Sequence, residues 1–483
     1  MEVIPFRGIR YNQRLVGDLA QVICPPYDVI TPEEQRLYYR KSNYNAIRLE
    51  LPLDSREAPI DRYQRAAVTF QEWLRQGILE ADSVSSFYLH DHHFEYSGGK
   101  KTRRGLIARV RLEPWGKGIY PHEETSSKAK SDRLELMRAC RASFSPLFSL
   151  YQDPEQKVTQ ILSRVAEKKP LLSLPAAAPT RPAASARSHL CDCQESHTLW
   201  AITEPEIKEQ LSKLLSPLPL YIADGHHRYE TALVYQQERA QAHCTASADY
   251  ACELTNGRQH IATDTLRQQP ARQAFNYVMM ELVDFSDPGL VVLPIHRLVR
   301  GVAPSALAGL EKQLETFFAL EFVYLGEDSL VGRGYQVFAL STVAGSSCRR
   351  PEQADAIGDA DLGILGLRTG ALALLRCRKD VSLETLMPVD RSPAYRRFGV
   401  SILNHIILDN VLRGAKELEV AYTVDVADAY QQIKTGKYQL AFLLSPPHPG
   451  MVKAVADEQD RMPRKSTYFY PKLPAGLVIN PLD

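Results

Sequence analysis

Tyr221-Ile222-Ala223-Asp224-Gly225-His226-His227-Arg228-Tyr229-Glu230-Thr231-Ala232-Leu233 reads as a short apolar strand that ends abruptly in polar groups where a helix begins. Such a junction suits anions. N–H groups at a helix start are unpaired and carry the positive end of the helix dipole, so a phosphate placed there gains hydrogen bonds and a favourable field. Gly225 lets the turn tighten and lets a ligand approach the main chain, and Arg228 offers phosphate oxygens a planar fork of donors. The competing reading makes Asp224 a helix cap and leaves His226 and His227 as exposed loop residues. The density of groups with catalytic repertoires in one turn favours the functional reading.

At 483 residues the chain exceeds one ordinary core, so two or three domains or subdomains are expected. A formal net charge of +1 provides no broad basic field for duplex nucleic acid, which disfavours nonspecific DNA binding. No apolar run is long enough for a membrane helix, and Met1-Glu2-Val3-Ile4-Pro5 does not begin like a secretory signal; a cytoplasmic location is expected. Eight scattered cysteines suit a reducing compartment. Cys191-Asp192-Cys193, the one close pair, lacks a second pair for zinc. His90 and His92 share a strand face by period-two geometry, with His93 beside them, but no partner pair is evident. A solvated strand is expected there.

Thr31-Pro32-Glu33-Glu34 has a capping Thr, a first-turn Pro and a Glu three residues after the cap, marking a helix toward Tyr39. Before it, Pro25 and Pro26 stiffen the loop that carries Tyr27 and Asp28. Residues 46–51 look like a strand, 62–79 an amphipathic helix, and 86–112 a hairpin turning at Ser97-Gly98-Gly99. His122, Glu123 and Glu124 come next, offering acid, base and metal-ligand chemistry or simply a solvated charged turn, before a helix that runs through Cys140. Residues 171–188 are Leu, Pro, Ala and Ser without pattern and read as a flexible surface excursion. A second polar stretch covers 241–272.

The second half shows a buried-strand pattern over 290–297 ending in His296 and Arg297, a helix over 304–318, strands over 335–340, 371–377 and 439–444, and a helix over 400–412. The tail from Met462 to Leu473 joins two lysines, two hydroxyls and three aromatics. It reads either as a segment docked through its aromatics or as one that also presents Lys465, Ser466 and Thr467 to an oxyanion or phosphate. The expected fold class is α+β (mixed α/β). The expected divisions are 1–170 with the Pro-Pro-Tyr-Asp and His-Glu loops, a 171–198 insertion, 199–300 with the phosphate box, and 301–483 with the Lys-Ser-Thr tail.

Several blocks together resemble the domain of unknown function 1015 family: Phe6-Arg7-Gly8-Ile9-Arg10, Pro25-Pro26-Tyr27-Asp28, His122-Glu123-x-Thr125 with Asp132-Arg133, Asp224-Gly225-His226-His227-Arg228, Pro294-x-His296-Arg297, and Met462-Pro463-x-Lys465-Ser466-Thr467 with Pro471-Lys472. They keep the family's order along nearly the whole chain, and the two polar stretches depart from its length pattern. The Asp-Gly-His-His-Arg turn is also similar to the phosphate-binding box of the ParB and sulfiredoxin superfamily, and within it to free-serine kinases. This second resemblance implies a ParB/sulfiredoxin-like nucleotide-binding core with an additional α/β subdomain. It also implies a kinase acting on the hydroxyl of free serine or a related amino acid, with ATP or ADP and Mg²⁺.

On that reading Gly225, His226, His227, Arg228, Lys465, Ser466 and Thr467 hold phosphates. Asp224 or Glu123 accepts the hydroxyl proton, with His226 and His122 as further catalytic candidates. Glu123 and Asp224 are the candidate metal ligands; Tyr27, Asp28, His296 and Arg297 are placed around the acceptor. Protonated histidines would be stronger phosphate donors. The expected partners are a nucleotide and a small hydroxylated metabolite, without membrane or nucleic acid. The alternative is a nucleotide-binding switch that holds phosphate without transferring it.

Overall fold

The computed structural model describes residues 1–54, 60–124, 127–175, 195–254, 273–324, 362–378, 380–413 and 418–483. A nine-stranded mixed sheet dominates the first half. Across it run Ile119–Tyr120, Leu220–Asp224, Leu147–Tyr151, Tyr277–Asp284, Gly99–Arg111, Phe87–Tyr96, Ser196–Ile202 and Leu172–Leu174, with Val3–Ile4 also paired to Gly99–Arg111. Leu220–Asp224 is parallel to Ile119–Tyr120, and Tyr277–Asp284 to Leu147–Tyr151; the other neighbours are antiparallel. A second, antiparallel sheet has six strands in the order Phe318–Tyr324, Ala371–Cys377, Leu362–Leu365, Leu440–Leu443, His296–Arg300 and Glu419–Thr423. The fold is mixed α/β around a large mixed sheet.

Alternation along Leu220–Asp224 ties the two sheets together. Tyr221 and Ala223 face a core shared with Val299, Ile364 and Phe442 of the second sheet, whereas Leu220 and Ile222 face the core of the first. A strand covered on both sides reads as an unbroken apolar run, and here that run stops at the polar turn. The tail closes the arrangement. Tyr468–Tyr470 pairs with Val291–Leu293, Asn480–Pro481 pairs with Ala142–Ser143, and the Met462 N–H donates to the His122 carbonyl at 2.7 Å.

Local chemistry explains most elements. Thr31 caps Pro32–Lys41 in a reciprocal box: its hydroxyl accepts from the Glu34 N–H and the Glu34 carboxylate from the Thr31 N–H. The 87–96/99–111 hairpin turns through Ser97 and Gly98, both with positive φ, which matches the twist of the paired strands. The helix expected over 62–79 is Arg62–Arg75, capped by Asp61, and Leu79–Ala81 instead pairs with Ile9–Tyr11. Gly77 at φ +72° separates the two.

Four expectations are corrected. Residues 46–51 are not a strand: Ile47–Glu50 forms one helical turn because the Asn45 side chain accepts from the Ile47 N–H and anchors its amide on the carbonyls of Gln21 and Ile23. Residues 290–297 are two strands, since Pro294 has no N–H to continue a ladder; Val291–Leu293 pairs with the tail and His296–Arg300 enters the second sheet. The helix beginning at Pro304 ends at Leu314, and Phe318–Tyr324 is a strand. His90 and His92 are fully buried rather than solvated, because Ser196–Ile202 pairs alongside and sets His197 opposite His92. The strand expected over 335–340, the close cysteine pair, Thr125 and most of both polar stretches lie outside the described residues. No helix among the described residues is long and apolar enough to cross a membrane.

Candidate functional site

The phosphate turn is assembled by a register shift. Ile222 pairs with Ser149 and Asp224 with Phe148, so the strand bulges at Ala223 just before the turn and re-aims the residues beyond it. Gly225 then takes φ +98°, and the helix begins at His226, its first backward bond running from the Tyr229 N–H to the Gly225 carbonyl at 3.0 Å. A Cβ on Gly225 would lie 3.0 Å from Arg228 Nη2 and 3.0 Å from Leu147 Cγ. The guanidinium therefore folds back over the bare glycine.

Asp224 is the centre of a buried charge cluster. Its Oδ1 accepts from Lys472 Nζ and its Oδ2 from Arg228 Nη2 at 3.1 Å, with all three side chains 10–17% exposed. Burial pushes the Asp224 carboxyl up, but Lys472 and then Arg228 outweigh it and hold the group at about 2. Arg228 Nη1 donates to Ser145 Oγ and to the Pro146 carbonyl, both at 2.9 Å, and Ser145 Oγ donates to Glu50 Oε1 at 3.1 Å. Burial works against the charges of Arg228 and Lys472; Asp224 and then Asp28 restore them and raise both pKa values. Asp28 is thus electrostatically part of the cluster. Tyr27 lies under the Arg133 guanidinium at 4.0 Å, and Arg133 bonds the Glu50 carbonyl at 2.6 Å and its neighbour Asp132.

His122 and His226 stand at the core side of the turn. His122 Nδ1–H donates to the Ile222 carbonyl at 2.7 Å and its Nε2 accepts from Thr467 Oγ1 at 2.9 Å, so both ring nitrogens are committed to protein atoms. His226 Nε2 accepts the His122 N–H at 3.3 Å. Burial lowers the His122 pKa to about 4 and carries His226 well below its usual value. Both rings are neutral at pH 7, so neither is a protonated phosphate donor. His227 occupies the half-buried second position of the helix.

Glu123 reaches the cluster from the adjacent loop. Its Oε1 accepts from the Lys465 N–H; burial raises its pKa, Lys465 and Lys472 partly offset that, and Asp224 adds to it. The Lys465 side chain is exposed, Ser466 Oγ donates to the Pro463 carbonyl at 2.5 Å, and Thr467 is held by His122. The tail's two hydroxyls are therefore engaged by protein, and its other lysine, Lys472, meets Asp224. Arg297 is buried, donates to the carbonyls of Ile295 and Arg464, and senses the Glu123 charge. His296 accepts from the Leu444 N–H at 3.0 Å through Nδ1, while its buried Nε2 has no hydrogen-bond partner among the described residues.

The structure thus gathers Asp224, Gly225, His226, Arg228, His122, Glu123 and Thr467, with Tyr27 and Asp28 at the cation side and His296 and Arg297 beyond Glu123. Lys472, Glu50 and Ser145 were absent from the sequence-based site. Lys472 stands in a recognisable motif that assigns it no role, Glu50 lies in a segment whose apolar spacing imitates a strand, and nothing local singles out Ser145. Of the two candidate metal ligands, Asp224 has both oxygens taken by cations. That arrangement does not fit a carboxylate-bound Mg²⁺.

A family model described as "Protein of unknown function (DUF1015)" matches residues 3–358, ending short of the tail that carries Lys472. No curated protein matches. Among solved structures, a conserved hypothetical protein from Pyrococcus furiosus is 13% identical, with 76% of this chain and 93% of that one covered and a TM-score of 0.30. A free serine kinase in complex with AMP is 11% identical over 76% and 86% of the two chains, with a TM-score of 0.31. SbnI with a C-terminal truncation, from Staphylococcus aureus, is 8% identical over 75% and 82%, with a TM-score of 0.28.

Proposed function

The chain belongs to the DUF1015 family, and from its site we propose that it is a nucleotide-dependent small-molecule kinase transferring a phosphoryl group to a hydroxyl. The carrying observation is the Asp224-Gly225 turn at a helix start, with Lys472 and Arg228 converging on it and Glu123 alongside. Phosphoryl transfer demands mainly positioning and charge compensation, and this cluster supplies both.

Asp224 acts as a placeholder anion. It keeps Lys472 and Arg228 charged and aimed at the turn, and an incoming phosphate competes with its carboxylate for the same donors while the helix start contributes N–H groups. A carboxyl held at about 2 is a weak base. Glu123, with its pKa raised, is the better proton acceptor. In the transfer the acceptor oxygen bonds to phosphorus, the bridging P–O bond of the nucleotide breaks, and the acceptor proton passes to Glu123. Asp28 and Tyr27, fixed by the two prolines, suit the amine of a serine-like acceptor, and Arg297 with His296 suits its carboxylate. ATP or ADP is the donor class, and this core is read as the ParB/sulfiredoxin-like nucleotide-binding part. Mg²⁺ enters as the counter-ion of the nucleotide, neutralising its phosphates.

The test is incubation with ATP, ADP or CTP, Mg²⁺ and a pool of hydroxylated metabolites, read by mass spectrometry for the gain of one phosphoryl group. Nucleotide binding with no phosphorylated product from any acceptor would replace the kinase by the nucleotide-switch reading. Absence of nucleotide binding would remove both.

A further inference from the structure

Away from the phosphate turn, the larger sheet buries a group of imidazoles that phosphoryl transfer does not use. His90 and His92 project from Phe87–Tyr96, and His197 sits directly opposite His92 on Ser196–Ile202. Period two puts all three on one face, where His90 and His92 are fully buried and His197 is 5% exposed. Glu195 precedes that strand and places Oε2 2.9 Å from His92 Nε2. One donor atom from each of His92, Glu195 and His197 lies within 4.8 Å of the other two.

Hydrogen bonds orient these donors. Glu281, itself fully buried, accepts from His90 Nδ1–H at 2.9 Å, which leaves His90 Nε2 with a lone pair. That lone pair accepts His197 Nδ1–H at 3.1 Å, so the free lone pair of His197 is on Nε2. A carboxylate relayed through imidazole in this way fixes the tautomer and orientation of metal-ligating histidines.

We propose that His92, His197 and Glu195 form a binding site for a divalent transition-metal ion of the zinc class, supported from behind by His90 and Glu281. Two imidazole nitrogens and one carboxylate oxygen match zinc's donor preference, and three protein ligands leave a fourth tetrahedral position for water. A metal on His92 Nε2 requires the ring proton on Nδ1, which now faces Arg103 Nη2 at 3.2 Å, an atom able only to donate. Loading therefore turns that arm of the guanidinium away. The other arm, Nη1, bonds the carbonyls of Tyr470 and Pro471, so the metal site abuts the backbone just before Lys472.

The full-length chain, stripped with a chelator and desalted, is titrated with Zn²⁺ by calorimetry and with Co²⁺ by visible absorption. The expected result is a single ion per chain with the intense d–d bands of tetrahedral cobalt, weakened about tenfold or more by His197→Ala and by Glu195→Gln. His405→Ala, beside Tyr395 in another element, serves as the unaffected control. The Glu195 side chain is 38% exposed, so Glu195→Gln retains the fold, and far-UV circular dichroism of the metal-free proteins verifies this. No binding, or equal affinity in Glu195→Gln and the unsubstituted chain, would overturn the proposal.

Discussion

Lys472→Met probes the charge cluster at the contact that most strongly lowers the Asp224 pKa. Burial alone would raise Asp224; Lys472 first and Arg228 next bring it to about 2. Against an unfolded value of about 3.9, and at about 1.4 kcal/mol per pKa unit, the environment as a whole, the cations net of burial, favours the folded charged state by about 2–3 kcal/mol. Arg228 remains in the variant and methionine retains much of the aliphatic stem, so the expected loss at pH 7 is about 1–2 kcal/mol. Because the folded pKa lies below the unfolded one, this stabilisation is complete above about pH 4 and disappears as pH falls toward about 2. The variant's deficit should therefore be largest at pH 7 and shrink at pH 3. Urea unfolding at both pH values measures this, and a double-mutant cycle with Asp224→Asn should return a coupling of about 1–2 kcal/mol. An equal deficit at both pH values with no coupling would refute the electrostatic account. It would leave Lys472 acting through its packing over the Tyr468 ring, 4.5 Å away.

Glu123→Gln is expected to reduce turnover by about 10²–10⁴-fold while sparing nucleotide affinity measured by calorimetry; unchanged turnover excludes Glu123 as the base. Since burial raises the Glu123 pKa and the base must be ionised, the acid limb of the activity profile should lie above the usual carboxylate range and be absent from the residual activity of the variant. Gly225→Ala forces a side chain into φ +98° and against Arg228 and Leu147, with an expected loss of about 1–3 kcal/mol in unfolding experiments and weaker nucleotide binding. His122, held near 4 mainly by burial, is protonated in the unfolded chain before the folded one. Its contribution is present above about pH 6.5 and is lost as pH falls toward about 4, by up to about 3 kcal/mol; His122→Gln should flatten that segment of the stability profile.

The reach of the sequence differs from one residue to the next. The strand ending at Asp224, the bend at Gly225 and the helix at His226 were legible because each is written in adjacent residues, as was the Thr31 capping box. Residues 46–51 were misread because their apolar spacing imitates a strand, whereas the deciding interaction is the Asn45 side chain reaching back to Gln21 and Ile23. Lys472 is 248 residues from Asp224, and nothing local distinguishes it from Lys465 as the site lysine. The strand pairing of the tail with Val291–Leu293 makes that distinction, leaving one lysine exposed and delivering the other. The same holds for the imidazoles: His90 meets His197 from 107 residues away, through a strand pairing that neither segment announces by itself.

This dependence on the tail also explains why two carboxylates that look interchangeable in the sequence part company in the fold. Asp224 and Glu123 both face Lys472, yet Asp224 takes a direct bond from Nζ and another from Arg228, while Glu123, among the described residues, takes a backbone N–H from Lys465 and feels the cations at a distance. Direct pairing lowers one pKa and burial raises the other, so one group stays an anion and the other can take a proton. The roles are set by which carboxylate the tail lysine touches. Moving that contact from Asp224 to Glu123 would exchange the base and the placeholder without changing either acidic residue.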